Sequence, residues 1–284
     1  DVYVNTPAKS IQKSTDECRI ETDKEVFHAR YVILAIGGKS YPALGSDGSG
    51  YELAKTLGHT VIEPVISAVP LVSKNILSHY LQGEKVNALV TSVIGGKDTQ
   101  TVKGEVLFTQ YGFSGPAIFD ISRDISVRIN REGYDDCDLR VSFFPNFTME
   151  HLKAELSGRL QKTGDFPVFH ALWGLVNERV AAALCTVAKI PKERMAKEIS
   201  DEESDRLVEV CTSYTAHIDG TRGWNEGEFT AGGVSTDELH PQTLESAIHK
   251  GIYFAGELID VDGPVGGFNL SWAWASGWVA GKLV

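Results

Sequence analysis

The chain has 284 residues, with 27 Lys and Arg against 38 Asp and Glu, a formal net charge of −11, and a hydrophobic share of 42%. An acidic chain repels phosphate backbones, so nucleic acid is disfavoured as a partner, and no apolar run reaches the ~18–20 residues of a membrane span. No basic segment followed by an apolar one opens the sequence as a signal peptide would, so a cytoplasmic protein of about two domains is expected.

The opening segment alternates apolar and polar residues around Cys18-Arg19-Ile20 and Val26-Phe27-His28, the pattern of half-buried antiparallel strands. Tyr31-Val32-Ile33-Leu34-Ala35-Ile36 is a continuous apolar run that stops at Gly37-Gly38, which predicts a strand buried on both faces of a parallel sheet. A Gly-rich loop leads into a short helix that ends at Gly58, where glycine suits the left-handed residue past a helix end.

Between Pro64 and Pro145 short strands are expected at 69–72, 85–94, 105–109, 126–130 and 139–144, forming a small β subdomain resembling a barrel. Residues 148–214 change to helical periodicity. Helices are expected at 149–160, 168–187 and 201–214, with Ser200 and Glu203 as a capping box and Pro191 in the first turn of a further short helix.

The tail returns to α/β character. Ile252-Tyr253-Phe254-Ala255 reads as a buried strand ending in Gly256-Glu257, and 269–283 as the last helix. Ala273, Gly277 and Gly281, with Ser276 and Ala280 beside them, form a stripe of small residues that would let this helix lie close to a sheet or ligand. Its three Trp, at 272, 274 and 278, are assigned to core or interface packing rather than to a cofactor box. The expected organisation is therefore 1–63 and 228–284 as two parts of one α/β domain, 64–147 as a β insert, 148–214 as a helical insert, and 215–227 as a strand returning to the β insert.

Cys18, Cys137, Cys185 and Cys211 form no CxxC pair and are expected as free, structural thiols. The eight His show no HxxxH or HxxEH spacing, so no metal site is expected from local pattern.

Two segments share one design: an apolar strand ending in small residues and a Gly-rich turn, once at 31–38 and once at 252–267. In open α/β sheets ligands bind outside the carboxyl ends of the strands. Gly266-Gly267-Phe268-Asn269 opens a helix, whose free N–H groups and partial positive charge stabilise an anionic ligand atom.

Three signatures then carry a resemblance. The segment 32–60, including Ile36-Gly37-Gly38-Lys39-Ser40-Tyr41-Pro42, is the first. Gly104-Glu105-Val106-Leu107-Phe108 through Tyr111-Gly112-Phe113-Ser114-Gly115-Pro116-Ala117 is the second. Gly232-Gly233-Val234, Thr243-Leu244-Glu245-Ser246 and the segment 251–270 make the third. Together they resemble the BaiN-type NAD(P)/FAD-dependent oxidoreductases and, more distantly, the flavoprotein subunits of succinate dehydrogenase and fumarate reductase.

The resemblance implies an FAD domain of the glutathione-reductase type, interrupted by a β-barrel-like and a helical insert. It implies hydride transfer through FAD with NAD(P)H as a partner, extending to reduction of a conjugated C=C bond in a small organic substrate. By position it implies that Ala35, Gly37 and Gly38 border the cofactor, and that Gly48 and Gly50, with Ser114 and Gly115, lie near the flavin ring or substrate. Gly256 and Glu257 would meet the ribityl or pyrophosphate portion. Asp262, Gly266, Gly267, Phe268 and Asn269 would face the flavin from the last helix.

The sequence departs from that pattern in places. Ile36 stands where Thr is usual, and Gln110 where His is frequent. No GxGxxG is present; the nearest run, Gly45 to Gly50, is GxxGxG. The chain also opens on Asp1 with no Met before Met149. The expectation is the family without its N-terminal dinucleotide-binding unit, which leaves a flavin-less fragment acting as a binding scaffold as the alternative to an enzyme. Arg222, Glu226 and Glu228 are read as a solvated loop, and no catalytic acid or base is nominated.

Overall fold

In the computed structural model, which describes residues 1–282, the alternating segment folds as expected. Strands β1 (Ala8–Lys13), β2 (Cys18–Thr22) and β3 (Val26–Ala29) form an antiparallel sheet in that order. Its register sets Ile11 against Ile20 and Ile20 against Phe27, so one face is apolar. The next apolar run yields a shorter strand than its length suggests, β4 (Val32–Leu34). Only Leu34 of its three residues is buried, and Tyr31 and Ile36 at the ends of the run are 43% and 39% exposed. This corrects the expectation of a strand buried on both faces, while the expected parallel pairing is observed: Ile252–Phe254 runs parallel to β4.

Helix α1 (Ser49–Thr56) follows, and Gly58 past its end has φ +83°. Strand β5 (Val61–Ser67) closes the first stretch.

Residues 69–222 make one compact unit, and residues 1–68 with those from 223 onward make another. In the 69–222 unit the elements are β6 (Leu71–Val72), α2 (Ile76–Tyr80), β7 (Lys85–Ile94), β8 (Lys97–Thr109), β9 (Gly112–Ser114) and α3 (Pro116–Ser126). Then come β10 (Cys137–Ser142), α4 (Met149–Thr163), α5 (Glu178–Val187), α6 (Asp201–Ser213), β11 (Tyr214–His217) and β12 (Gly220–Thr221). The strands pair as one antiparallel sheet of order β11-β10-β7-β8-β9-β6-β12. No ladder joins β11 to β12 among the described residues, so the sheet is open and no closed barrel forms.

Three local expectations are corrected here. Residues 126–130 are not a strand; they lie in the end of α3 and the single wide turn Val127–Arg131. Pro116 starts that helix, and Ala117, Ile118, Ile121 and Ile125 sit on its buried face at helical spacing. The helix expected over 168–187 is broken into a 3-10 turn (Val168–Leu172) and α5, with Gly174 at φ +81° between them. No helix begins at Pro191, whose carbonyl accepts from Arg194 in an isolated turn. The capping box does form: Ser200 Oγ accepts the Glu203 N–H, and the Glu203 carboxylate accepts the Ser200 N–H.

One hydrophobic core runs through this unit, joining sheet residues such as Val90, Phe108 and Leu139 to helix residues such as Leu152, Leu184 and Leu207.

The chain returns to the first unit through β13 (Phe229–Val234), β14 (Ile252–Phe254) and α7 (Phe268–Lys282). Strand β13 pairs antiparallel with β5, and β14 pairs parallel with β4. A second core gathers Leu34, Tyr51, Leu57, Val234, Phe254 and Leu258. The α/β class expected from the sequence is the one observed. No helix among the described residues is long and apolar enough to cross a membrane.

Candidate functional site

The parallel pair β4–β14 places its two Gly-rich turns side by side at the carboxyl end. Ala255 N–H donates to Leu34 O at 2.9 Å, which carries the pairing one residue past β14. Beyond it, Gly37 adopts φ +83°. A Cβ built on Gly38 would stand 2.5 Å from the Glu257 carboxyl carbon and 2.6 Å from Thr230 Oγ1. A side chain there would force both groups to move, so glycine at 38 suits this close approach of protein groups.

Gly256 and Glu257 start a 3-10 turn, Gly256–Leu258. Helix α7 holds that turn from both sides. Gly256 N–H donates to Ser276 Oγ at 2.8 Å, and Trp272 Nε1 donates to Gly256 O at 3.1 Å. Ala273 approaches the same glycine, and Ser276 and Ala280 are buried. The stripe of small residues that packs is thus 273, 276 and 280. Gly277 has open space where its Cβ would be, as does Gly281. Half-buried Trp272 packs against the core of this unit, while Trp274 and Trp278 are 81% and 66% exposed.

Before α7 the loop is cinched by Asn269, whose amide accepts from Gly263 N–H at 2.9 Å and donates to Gly263 O at 3.0 Å. That side chain is committed to its own loop. Gly266 and Gly267, at φ +126° and +95°, bring the backbone round to the helix start. A Cβ on Gly267 would meet no protein atom within 4 Å, so substitution there is opposed by backbone strain and not by a clash with the helix.

The Glu257 turn and the loop before α7 border a cavity of about 300 Å³, lined by Glu228, Phe229, Glu257, Val261, Val265 and Gly266, then Gly267, Asn269, Leu270, Trp272 and Ala273; Ala35, Gly37, Gly38 and Gly256 do not line it. Glu257, Gly266, Gly267 and Asn269 are therefore brought together. Asp262, in the same loop, and Phe268, which opens α7, do not line the cavity, and Phe268 is 61% exposed. Glu228, read from sequence as part of a solvated loop, does line it. Phe229 and Trp272 were not anticipated; the apolar lining comes from positions whose spacing carries no motif.

The other expected positions lie elsewhere. Gly48 and Gly50 flank the start of α1; a Cβ on Gly50 would come within 3.0 Å of Ile36 and Leu258. Gly48 lines a second, more polar depression with Lys39, Asp47, Ser49, Tyr51 and Lys55. Ser114 and Gly115 belong to the 69–222 unit. There Gly115 opens α3, and a Cβ on it would be 2.9 Å from Glu105 O. In that unit Arg222 lies over the Tyr111 ring at 4.6 Å, and Gln110 is exposed.

One polar cluster escaped the sequence entirely. Buried His59 bridges Glu238 Oε2, 3.0 Å from Nδ1, and Ser246 Oγ, 2.8 Å from Nε2. The constellation has the residue types of a hydrolase triad, yet Ser246 is 3% exposed and its Oγ accepts the N–H groups of Ile248 and His249. A hydroxyl so enclosed is not a nucleophile for any outside substrate. Burial holds the His59 imidazole below the usual histidine range, against the pull of Glu238.

All four cysteines are buried and free. Among the described residues no group of three His, Cys, Asp or Glu side chains is placed to hold a metal ion.

Comparison with known proteins places these features in a family. Residues 1–283 match the model of the HI0933-like protein Rossmann domain, and the chain belongs to that family. It is 34% identical over 284 residues to 3-dehydro-bile acid delta(4,6)-reductase of Clostridium scindens, covering 99% of this chain and 68% of that protein. It is 30% identical over 257 residues to the ribosomal RNA dihydrouridine synthase of Escherichia coli, covering 88% of this chain and 60% of the relative. With the enzyme of the same name from Haemophilus influenzae it is 28% identical over 270 residues, 91% of this chain and 63% of the relative. The chain thus spans between 60% and 68% of the length of these relatives.

Proposed function

We propose that this member of the HI0933-like family is the flavin-contacting part of an oxidoreductase that reduces a C=C bond conjugated to a carbonyl in a small organic substrate. The observation that carries the reading is the cavity between the Gly256 turn and the start of α7. It has an apolar wall of Val261, Val265, Leu270, Trp272 and Ala273, and it is bordered by the Glu257 carboxylate and by open backbone at Gly266 and Gly267.

These residues fit a flavin. A flat ring needs an apolar wall and backbone that approaches without side chains, which Gly266 and Gly267 provide. The first turn of α7 leaves N–H groups without intrahelical acceptors, and its partial positive charge favours an anionic ring locus. Glu257 is an acceptor for ribityl hydroxyls, with one carboxylate oxygen already fixed by Thr230 N–H at 2.6 Å. FAD, when bound, supplies the hydride chemistry; the protein's part is to orient the ring, exclude water with the Trp272 and Leu270 side chains, and stabilise negative charge at the helix start.

The relatives' names agree on a bond type. A dihydrouridine is a uridine whose C=C bond beside a carbonyl has been saturated, and a delta(4,6)-reductase saturates C=C bonds of an oxo-steroid. The relative of higher identity favours a steroid-like substrate here.

An RNA substrate is the second reading, favoured by one feature of the 69–222 unit. His170 stacks on Trp173 (ring centres 4.0 Å apart) and on Phe166 (5.7 Å), and the outer rings are 44% and 61% exposed. Arg159 and Lys162 line a depression beside His170, and exposed aromatics beside cations suit nucleobase stacking.

The test is a visible spectrum of the purified chain before and after incubation with FAD. It is followed by anaerobic assay of the reduced flavoprotein with a steroid enone and with a uridine-containing RNA. Flavin absorbance and oxidation by the enone support the first reading. Oxidation by RNA alone supports the second. A chain that stays colourless with FAD overturns both.

A further inference from the structure

We infer that Thr230 is a positioning residue that pins the turn carrying Glu257, which borders the proposed flavin cavity, to the neighbouring Gly-rich turn after β4. It stands on β13, on neither of the strands that carry those turns, and is 2% exposed. Its Oγ1 accepts the Lys39 N–H at 2.8 Å, from the turn that follows β4. Its own N–H donates to Glu257 Oε1 at 2.6 Å, from the turn that follows β14. One residue therefore holds a backbone amide of one turn through its side chain and a carboxylate of the other through its backbone.

Gly38 shows how tight the join is. With any Cβ at 38 the Glu257 carboxyl group and Thr230 Oγ1 would both have to move. The turns are packed against Thr230 from two sides, and the Lys39 amide donates to its hydroxyl oxygen. The β-branched hydroxyl is the suitable group for this place: Thr is stiff at χ1, and its oxygen can accept from Lys39 without adding charge beside Glu257.

The inference rests on the flavin reading above and deepens it. Glu257 lines the cavity while Thr230 and the Gly37–Gly38–Lys39 turn do not, so Thr230 acts on a bound flavin through Glu257, whose place it fixes against that turn.

The test compares Thr230→Val, Thr230→Ala and Thr230→Ser with the unmodified chain in two measurements. The first is hydrogen exchange of the Lys39 amide in flavin-free protein. The second is FAD affinity with the visible spectrum of the complex. The expected result for Val and Ala is faster Lys39 exchange and FAD affinity lower by roughly tenfold, the size of effect when a buried N–H loses its acceptor, with a shifted flavin spectrum. Ser restores all three to the unmodified values. If Val and Ala lower only the melting temperature and leave affinity and spectrum unchanged, the positioning role is overturned. An unmodified chain that takes up no FAD overturns the flavin reading and, with it, the role assigned to Thr230 there; unchanged Lys39 exchange in both variants overturns the pin itself, with or without flavin.

Discussion

The two units are held together in different ways. The 69–222 unit rests on burial: a long β7–β8 hairpin, α3 and the helices α4 to α6 share one apolar core, with Phe108, Leu139, Leu152 and Leu184 fully enclosed. The other unit has a smaller core and spends its specific bonds on turns. Ser276, Trp272, Asn269 and Thr230 each fix a backbone group of a Gly-rich segment. Burial is tolerant of detail and supplies stability; a lattice of single hydrogen bonds fixes geometry at sub-ångström scale, which a cofactor site requires.

That contrast can be broken by mutation, and the largest effect is expected in the first unit named. Phe108→Ala removes a ring that packs on Phe113 and Phe143 at 5.5 and 5.9 Å. It should cost about 3–5 kcal/mol, read as a lower denaturation midpoint, while flavin uptake by the folded fraction is kept. Gly38→Ala should act the opposite way. Overpacking of this kind costs about 1–3 kcal/mol, but flavin affinity should fall far more than stability, because Glu257 and Thr230 are displaced. Equal flavin affinity in Gly38→Ala would show that the turns do not set the site.

Smaller again is Ser200→Ala, which deletes one half of a capping box on α6. A loss of about 1 kcal/mol, confined to thermal stability, is expected. The smallest effect is a pH slope. Folding holds the His59 imidazole neutral through burial, below its usual range, so the unfolded chain binds the proton first. Stability should therefore fall as pH drops through about 6.5. Hydrogen bonding from Thr60 holds the Glu238 carboxyl below its usual range, adding a second loss below about pH 4.5. In His59→Gln the upper of the two losses should disappear from a melting-temperature profile, and its persistence would exclude His59 as the source.

What the sequence disclosed depended on distance along the chain. The two strand–glycine turns were legible because each is written in consecutive residues, as were the capping box at Ser200 and the left-handed Gly58. Helix α3 was not: residues 110–125 fell between two expected strands, and the helical spacing of Ala117, Ile118, Ile121 and Ile125 lies in a segment rich in β-branched Ile. The short length of β4 was hidden too, since an apolar run reports composition and not how many neighbours cover it.

The bonds that build the site were beyond reach for another reason. Lys39 and Thr230 are 191 positions apart, and His59 and Ser246 are 187 apart. No local pattern marks a threonine as the acceptor for one particular amide. A net charge of −11 likewise says nothing of local groupings such as Arg159, Lys162 and Glu155 in the depression beside His170.

The four buried thiols give the molecule its own clocks. A thiolate is the reactive form, and burial raises every one of these groups, Cys137 to about 11 and Cys185 to about 12, with Cys18 and Cys211 raised as well. A thiol reagent can then modify each cysteine only when its surroundings open. Cys18 belongs to the unit of turns and the other three to the unit of burial. Site-resolved labelling over time should therefore give two separate opening rates from one unmodified protein, with Cys18 reacting first.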